Sequence, residues 1–173
     1  MVAVLELTHS AAMNARIIGS GEDTIIFAHG FGTDQSIWEK TIPFFTQRYR
    51  VLLFDWCFSG SIKEPNHLYD PVKYSSFDGF ANDLIDLLDE IDLKASVFVG
   101  HSMSGMIGCL ASIQRPDLFK RLILVGASPS ICASSLCFFF LFRPLNRKTI
   151  LQHKRIFAQT QIGFKRLVLF YGE

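Results

Sequence analysis

The chain has 173 residues, of which 49% are hydrophobic and 19% are charged, and its formal net charge is +1. A chain of this length and composition buries one core, so we predict a globular protein rather than a disordered or fibrous one. The nearly balanced charge shows no bias toward nucleic acid, and we predict no nucleic-acid partner.

Apolar runs bounded by turn residues predict three strands in the first third of the chain, at residues 13–18, 24–28 and 49–55. Between the last two, apolar residues at irregular spacing from Ile37 to Phe45 predict a helix that Pro43 interrupts. A loop rich in turn residues then follows as far as Tyr74.

The next segment predicts two helices and two further strands. Ser75, with Asp78 three residues later, forms a capping-box pattern, and apolar residues then recur at helical spacing as far as Ile91. Asp83 is assigned to the polar side of this helix. Strands are predicted at residues 95–99 and 121–125, with a helix ending at Gln114 between them. Alternating strands and helices are typical of a mostly parallel sheet, whose ligand sites lie at the carboxyl ends of the strands.

The stretch Gly100-His101-Ser102-Met103-Ser104-Gly105 directly follows the predicted strand at 95–99 and opens the next helix. A serine between small residues at a strand-to-helix turn is typical of a nucleophile elbow, in which a large neighbour would collide with the helix. Gly100 and Ser104 are the small flanks, although glycine is the usual residue at the second position. An ordinary serine N-cap is the alternative interpretation.

A second motif, His29-Gly30-Phe31-Gly32, follows the predicted strand at 24–28. A glycine-rich loop brings its backbone close to a ligand, because no side chain blocks the approach. We predict that the backbone N–H groups of Phe31 and Met103 form an oxyanion hole beside Ser102. An ordinary turn with two glycines is the alternative, but two such motifs, each at the end of its own strand, favour one catalytic site.

Longer runs around the two motifs resemble the strigolactone and karrikin receptor family of plants, a branch of the α/β-hydrolases. The resemblance covers about residues 12–129, and it is carried by the runs at residues 29–38, 100–108, 110–112, 115–119 and 126–129. In that family the second flank of the elbow is also serine, as Ser104 is here. The run at 55–61 is closer to the less studied paralogues of these receptors.

The resemblance implies an α/β-hydrolase fold and a Ser-His-Asp enzyme-receptor that slowly hydrolyses a small apolar ester or lactone of the butenolide type. Ser102 is then the nucleophile, and the elbow and the loop are supported by His29, Gly30, Gly32, Gly100, His101 and Ser104. The family also implies an F-box protein and a repressor as signalling partners. The sequence contains no metal-ligand cluster, phosphate-binding loop or dinucleotide motif, so we predict no metal and no cofactor.

The charge changes sign near residue 130. Residues 1–130 carry 10 Lys and Arg against 15 Asp and Glu, whereas residues 131–173 carry 7 against the single acid Glu173. We therefore predict a partial α/β-hydrolase core in 1–130 and a divergent basic and aromatic tail in 131–173. The lid and the last strands that the resemblance implies have no recognisable counterpart. We interpret the tail as the product of an alternative transcript or of a gene model that reads through an intron.

The acid and the histidine of a triad are not found after Ser102. His153 is the one histidine that follows the serine, and a surface histidine is the alternative to a working base. Without a base, a serine hydroxyl is a poor nucleophile at neutral pH, so we predict a catalytically impaired hydrolase. A non-catalytic ligand-binding and signalling protein and a non-functional truncated product are the alternative interpretations.

The four cysteines lack metal-type spacing and are typical of reduced thiols, and the N-terminus shows no secretory pattern, which favours a cytoplasmic or nuclear protein. An uncharged run from Leu122 to Phe142 is long enough to cross a bilayer. It begins inside a predicted strand, however, so we favour a core strand over a membrane span. Without further strands, the strand at 121–125 is expected to have an open edge.

Overall fold

The structure, a computed structural model, describes residues 8–61 and 70–127 and the backbone of residues 168–171. The helices are α1 (His9–Ala12), α2 (Phe77–Glu90) and α3 (Met103–Gln114). The strands are β1 (Arg16–Ile18), β2 (Thr24–Ala28), β3 (Arg50–Leu53), β4 (Ser96–His101), β5 (Phe119–Val125) and β6 (Val168–Tyr171). Short 3-10 segments occupy Gln35–Trp38, Ile42–Phe44, Lys73–Ser75 and Pro116–Leu118. The five strands predicted above are all present, some with shorter or shifted bounds.

The strands form one mixed sheet in the order β1-β3-β2-β4-β5-β6. Its central strands β3, β2, β4 and β5 run parallel, whereas β1 and β6 pair antiparallel with β3 and β5. The carboxyl ends of the parallel strands meet at one edge of the sheet, where Ala28 pairs with Gly100 and His101 pairs with Val125. The predicted mostly parallel α/β architecture is confirmed.

The outer edge of β5 differs from the expectation. The backbone of Val168–Tyr171 pairs antiparallel with residues 122–125. The expectation of an open edge at β5 is therefore wrong. Valine, phenylalanine and tyrosine have high strand propensity, and the ladder satisfies N–H and C=O groups of β5 that an edge leaves unpaired.

Alternate residues of β2 face two separate cores, because side chains of a strand point to opposite faces with a period of two. On β2, Ile26 belongs to the core that α2 and α3 cover. Ile25 and Phe27 belong to the other core, together with Trp38 and Ile42 of the 3-10 segments. Burial of both faces explains why β2 is apolar from Ile25 to Ala28.

Two local predictions are wrong. The helix predicted from Ile37 to Phe45 is instead two 3-10 segments, Gln35–Trp38 and Ile42–Phe44. Pro43 lies in the first turn of the second segment, where its missing N–H is tolerated, and that missing N–H cannot continue a helix from the preceding turn. Helix α2 begins after Ser76, whose hydroxyl accepts the N–H of Asp78 at 3.2 Å. The hydroxyl of Ser75 instead donates to the carbonyl of Val72 at 2.8 Å.

Asp83 does not lie on a solvent-facing side of α2. It is 6% exposed, and its carboxylate accepts the hydroxyl of Tyr74 at 2.6 Å and pairs with the ammonium of Lys73. Burial and the bond to Asp83 both raise the pKa of Tyr74. The assignment is wrong because the 3-10 segment before α2 folds back over this carboxylate, which the apolar spacing of the helix does not reveal.

Candidate active site

Ser102 lies in a strained turn between β4 and α3. Its φ of 54° and ψ of −119° place a non-glycine residue in a sparsely populated region, which costs on the order of 1–3 kcal/mol. The backbone holds this conformation at both sides: the N–H of Ser102 donates to the carbonyl of Val125 at 2.9 Å, and its carbonyl accepts the N–H of Gly105 at 3.1 Å. The half-buried Ser102 side chain is presented at the carboxyl edge of the sheet.

The turn requires small residues around the serine. A Cβ atom on Gly100 would lie 2.7 Å from the backbone nitrogen of Gly105 and 2.7 Å from the carbonyl carbon of Ser104. A Cβ atom on Gly105 would lie 2.5 Å from the Cβ of Ala127. All three distances are shorter than an ordinary contact of a Cβ atom, so β4, the turn and the residues after β5 pack this closely only if these positions are glycine.

The glycine loop that follows β2 lies directly against the elbow. A Cβ atom on Gly30 would be 3.1 Å from the Cβ of Ser102 and 2.8 Å from Nδ1 of His101. Gly32 has a φ of +74°, a backbone region that favours glycine. The ring of Phe31 is 74% exposed and its centroid lies 5.3 Å from that of Phe58. The loop therefore brings its backbone to the serine and leaves an aromatic ring at the rim.

His29 is a fully buried, neutral residue at the base of this loop. The backbone N–H of Trp56 donates to Nε2 of His29 at 3.1 Å, so Nε2 carries the lone pair. Nδ1 then carries the proton and donates to the carbonyl of Gly30 at 2.9 Å. Burial lowers the pKa of His29 below its ordinary value of 6.5, against smaller opposing contributions from that carbonyl and from Asp55.

Ser104 and Trp56 connect the elbow to the glycine loop, and the importance of Trp56 is not evident from the sequence. The indole Nε1 of Trp56 lies 2.8 Å from the hydroxyl oxygen of Ser104 and 3.1 Å from the carbonyl oxygen of His29. The hydroxyl of Ser104 donates to the same carbonyl of His29. Both side chains are fully buried. Serine at the second flank thus makes hydrogen bonds that a glycine cannot make.

Asp55, at the carboxyl end of β3, is fully buried and accepts hydrogen bonds from several donors. The carboxylate accepts the backbone and side-chain N–H groups of Gln35, the amide of Asn14 and the hydroxyl of Ser61, all within 2.9 Å. Nε2 of His29 also lies 3.6 Å from this carboxylate. The hydrogen bonds anchor the loops around the sheet edge, so Asp55 has a structural role beside the site.

The hydroxyl of Ser102 has no hydrogen-bond partner among residues 8–61 and 70–127. The ring of His101 packs edge-on against Trp38, with centroids 6.5 Å apart, and its buried Nδ1 likewise finds no partner in these two ranges. His153 lies outside the described residues. Within the described part of the chain, the site therefore consists of a strained serine, adjacent backbone N–H groups and a rim of aromatic rings.

One group of side chains in the described ranges brings metal-type ligand atoms together, at His9, Asp83 and Asp86, within 4.8 Å of one another. These groups already have partners: Lys73 pairs with Asp83, and the imidazole of His9 lies 3.5 Å from Asp86. The group is far from the elbow in sequence and we assign it no metal. None of the helices in the described ranges is both long and apolar enough for a membrane crossing.

A mostly parallel sheet with a strained serine between a strand and a helix, facing a glycine loop, is the arrangement of α/β hydrolases. A family model described as alpha/beta hydrolase fold matches residues 23–157. The chain belongs to the α/β-hydrolase fold family.

Within the α/β-hydrolase fold family, the chain is similar to a group of plant proteins. Strigolactone esterase RMS3 of Pisum sativum is 48% identical over 118 residues, which are 68% of this chain and 43% of that protein. Karrikin insensitive 2 receptor B of Petunia hybrida is also 48% identical over 118 residues, 68% of this chain and 42% of the receptor. The resemblance to the strigolactone and karrikin receptors is confirmed. The chain spans less than half the length of these two relatives.

Solved structures support the fold. A hydrolase from Oleispira antarctica is 28% identical to this chain, with a TM-score of 0.67, and the match covers 90% of this chain and 55% of that one. A bromoperoxidase from Bacillus anthracis is 26% identical with a TM-score of 0.58, covering 66% of this chain and 40% of that structure. The predicted α/β-hydrolase fold class is confirmed.

Proposed function

We propose that this chain provides the nucleophile and the oxyanion hole of a serine hydrolase that cleaves a small apolar ester or lactone. Ser102 is the nucleophile, and the backbone N–H groups of Phe31 and Met103 stabilise the oxyanion. His29, Gly30, Gly32, Gly100, His101 and Ser104 support the loop and the elbow. The observation that carries the proposal is the strained backbone of Ser102 directly against Gly30.

The strained backbone of Ser102 favours a catalytic role for this residue over a role as an ordinary N-cap of α3. A capping serine has an extended backbone and accepts an N–H of the first helical turn. Ser102 instead has a positive φ, and its side chain makes no capping hydrogen bond. A conformation that costs free energy and leaves the hydroxyl free is typical of a functional site.

We propose that turnover by this chain is slow. A serine hydroxyl needs an adjacent base to become a good nucleophile, and Ser102 makes no hydrogen bond to a base within the described ranges. Oxyanion stabilisation alone still accelerates acyl transfer by roughly three to four orders of magnitude over water. We therefore expect measurable acylation of Ser102 at a rate far below that of a hydrolase with a complete triad.

A non-catalytic ligand-binding and signalling role is the second candidate. Two features favour it: within residues 8–61 and 70–127 the hydroxyl of Ser102 has no hydrogen-bond partner, and the ring of Phe31 is exposed. A ligand that is held without a base is not cleaved efficiently. Three relatives carry the words "karrikin insensitive 2 receptor" in their names. Under this proposal a butenolide ligand binds at the aromatic rim, an F-box protein and a repressor are the partners, and the compartment is the cytoplasm or the nucleus.

One experiment distinguishes the hydrolase proposal from the receptor proposal. It compares the hydrolysis of p-nitrophenyl acetate by wild type, Ser102→Ala and Ser112→Ala. Ser112 lies on α3 and its hydroxyl donates only to the carbonyl of Cys109 in the described structure, which makes it a matched serine control. The hydrolase proposal predicts a burst that is lost in Ser102→Ala and kept in Ser112→Ala. Equal rates in all three proteins contradict it. A thermal shift with a synthetic butenolide ester and no burst supports the receptor role.

A further inference from the structure

The carbonyl oxygen of His29 is held by two side chains from different parts of the fold. The hydroxyl of Ser104 reaches it from the first turn of α3, and the indole N–H of Trp56 reaches it at 3.1 Å from the segment after β3. This carbonyl belongs to the peptide that joins His29 to Gly30, and Gly30 is the residue that touches Ser102. The two side chains therefore act on the first peptide of the glycine loop.

We propose that Ser104 and Trp56 are positioning residues for the oxyanion hole. This inference rests on the proposed function, in which the N–H of Phe31 is one of the two oxyanion donors. The N–H of Phe31 follows the peptide of Gly30 directly, so its direction depends on how the His29–Gly30 peptide is fixed. The donor from Met103 is already fixed because it lies at the start of α3.

The same two side chains also bond to each other, and the backbone of Trp56 bonds to the His29 ring. The indole N–H of Trp56 lies 2.8 Å from Ser104 Oγ, and the backbone N–H of Trp56 donates to Nε2 of His29. Trp56 thus fixes both the ring and the carbonyl of His29. A hydrolase with glycine at position 104 lacks the hydroxyl that joins these hydrogen bonds. Ser104 is therefore more than a side chain small enough for the elbow, because its hydroxyl also holds the His29 carbonyl.

The His29 carbonyl has two side-chain donors, so either one can hold it when the other is removed. This redundancy predicts a non-additive effect in a double variant. After Ser104→Ala, the His29 carbonyl still accepts the indole N–H, and after Trp56→Phe it still accepts the Ser104 hydroxyl. Only the double variant leaves this buried carbonyl without either donor. Each single change should lower the acylation rate about three- to tenfold, the worth of one buried hydrogen bond, and the double change should lower it by more than the product of the two.

The test measures the burst rate of p-nitrophenyl acetate with Ser104→Ala, Trp56→Phe, the double variant and the control Ser112→Ala. We expect the burst rate to fall and KM to stay within about twofold, because the contacts act on the transition state. Melting curves and near-UV circular dichroism verify that each variant folds. A double variant whose loss equals the product of the single losses, or a change in KM alone, overturns the proposal.

Hydrogen exchange of the peptide covering residues 29–33 provides a readout that needs no turnover. We expect faster exchange in Ser104→Ala and wild-type exchange in Ser112→Ala. Unchanged exchange in Ser104→Ala overturns the proposal, even if the double variant does not fold. If wild type and Ser102→Ala hydrolyse the ester equally, the proposed hydrolase activity fails, while the exchange experiment still decides whether Ser104 positions the loop.

Discussion

The carboxylate of Asp55 accepts the backbone N–H and the side-chain N–H of Gln35, each at 2.8 Å. Asn14 and Ser61 also donate to this carboxylate, so donors surround the fully buried group. Asp55→Asn turns one acceptor into a donor that faces other donors. We expect the free energy of unfolding to fall by about 3 kcal/mol, measured by urea denaturation.

The control for this change is Asp92→Asn, because the Asp92 side chain is 89% exposed and its ion-pair partner Lys94 lies 3.6 Å away. An exposed pair contributes about 0–1 kcal/mol, so the control should stay close to wild type. Equal effects of the two substitutions would show that the buried hydrogen bonds of Asp55 contribute no more than an exposed ion pair.

Gly100→Ala should disrupt the elbow. The added Cβ would lie 2.7 Å from backbone atoms of Ser104 and Gly105, which cannot move without shifting α3. We expect a loss of about 1–3 kcal/mol in the free energy of unfolding, together with loss of the ester burst. Gly60→Ala is the matched control, because a Cβ there meets no atom within 4 Å. A Gly100→Ala protein with wild-type stability would contradict the steric argument.

Stability should decrease on mild acidification because His29 is buried in its neutral form. Its folded-state pKa is lowered below 6.5, so the unfolded chain binds the extra proton first as pH falls. The stability that comes from keeping His29 neutral is fully present above about pH 6.5. Below that pH, the free energy of unfolding falls by up to about 1.4 kcal/mol per pH unit. The fall ends once the pH is below the folded-state pKa of His29, because the folded protein then binds the proton as well.

Urea denaturation between pH 7.5 and 5.5 measures this dependence. The slope should be smaller in His29→Gln, which has no imidazole to protonate. The same slope in His29→Gln and wild type would assign the acid sensitivity to other groups.

Tyr74→Phe should weaken the packing of the 3-10 segment Lys73–Ser75 against the middle of α2. The hydroxyl of Tyr74 donates to the buried carboxylate of Asp83 at 2.6 Å, and the change removes this donor while keeping the ring that packs on Phe80. We expect a loss of about 1–3 kcal/mol, as for a hydrogen bond to a charged group. Tyr49→Phe is the control, since the hydroxyl of Tyr49 makes no hydrogen bond in the described ranges. Thermal unfolding of both variants provides the comparison.

The sequence predicts the elements whose signal is local. Strand β2 is a continuous apolar run between turn residues, and it is found at the predicted residues. The elbow can be predicted because few local structures place a serine between small residues directly after an apolar strand. The predicted cap of α2 is one position early, since Ser75 and Ser76 are equally good caps and the 3-10 segment before them decides which is used.

Contacts between distant segments could not be predicted in the same way. Trp56 and Ser104 are 48 positions apart, and nothing in either local pattern indicates that an indole N–H and a hydroxyl share one carbonyl. Asp83 fits a polar helical face by spacing alone, and only the folded position of Tyr74 and Lys73 shows that it is buried. The pairing of β5 with β6 likewise joins residues more than forty positions apart.

The complete burial of Trp56 beside His29 gives the protein an intrinsic optical reporter. The chain contains two tryptophans, Trp38 and Trp56, and both are buried. In a Trp38→Phe background, emission comes from a single indole that is hydrogen bonded to the elbow, so its wavelength and quenching follow the loop as ligands bind or as the imidazole next to it takes up a proton. Fluorescence can therefore follow this site in real time, without a label and without a chromogenic ester.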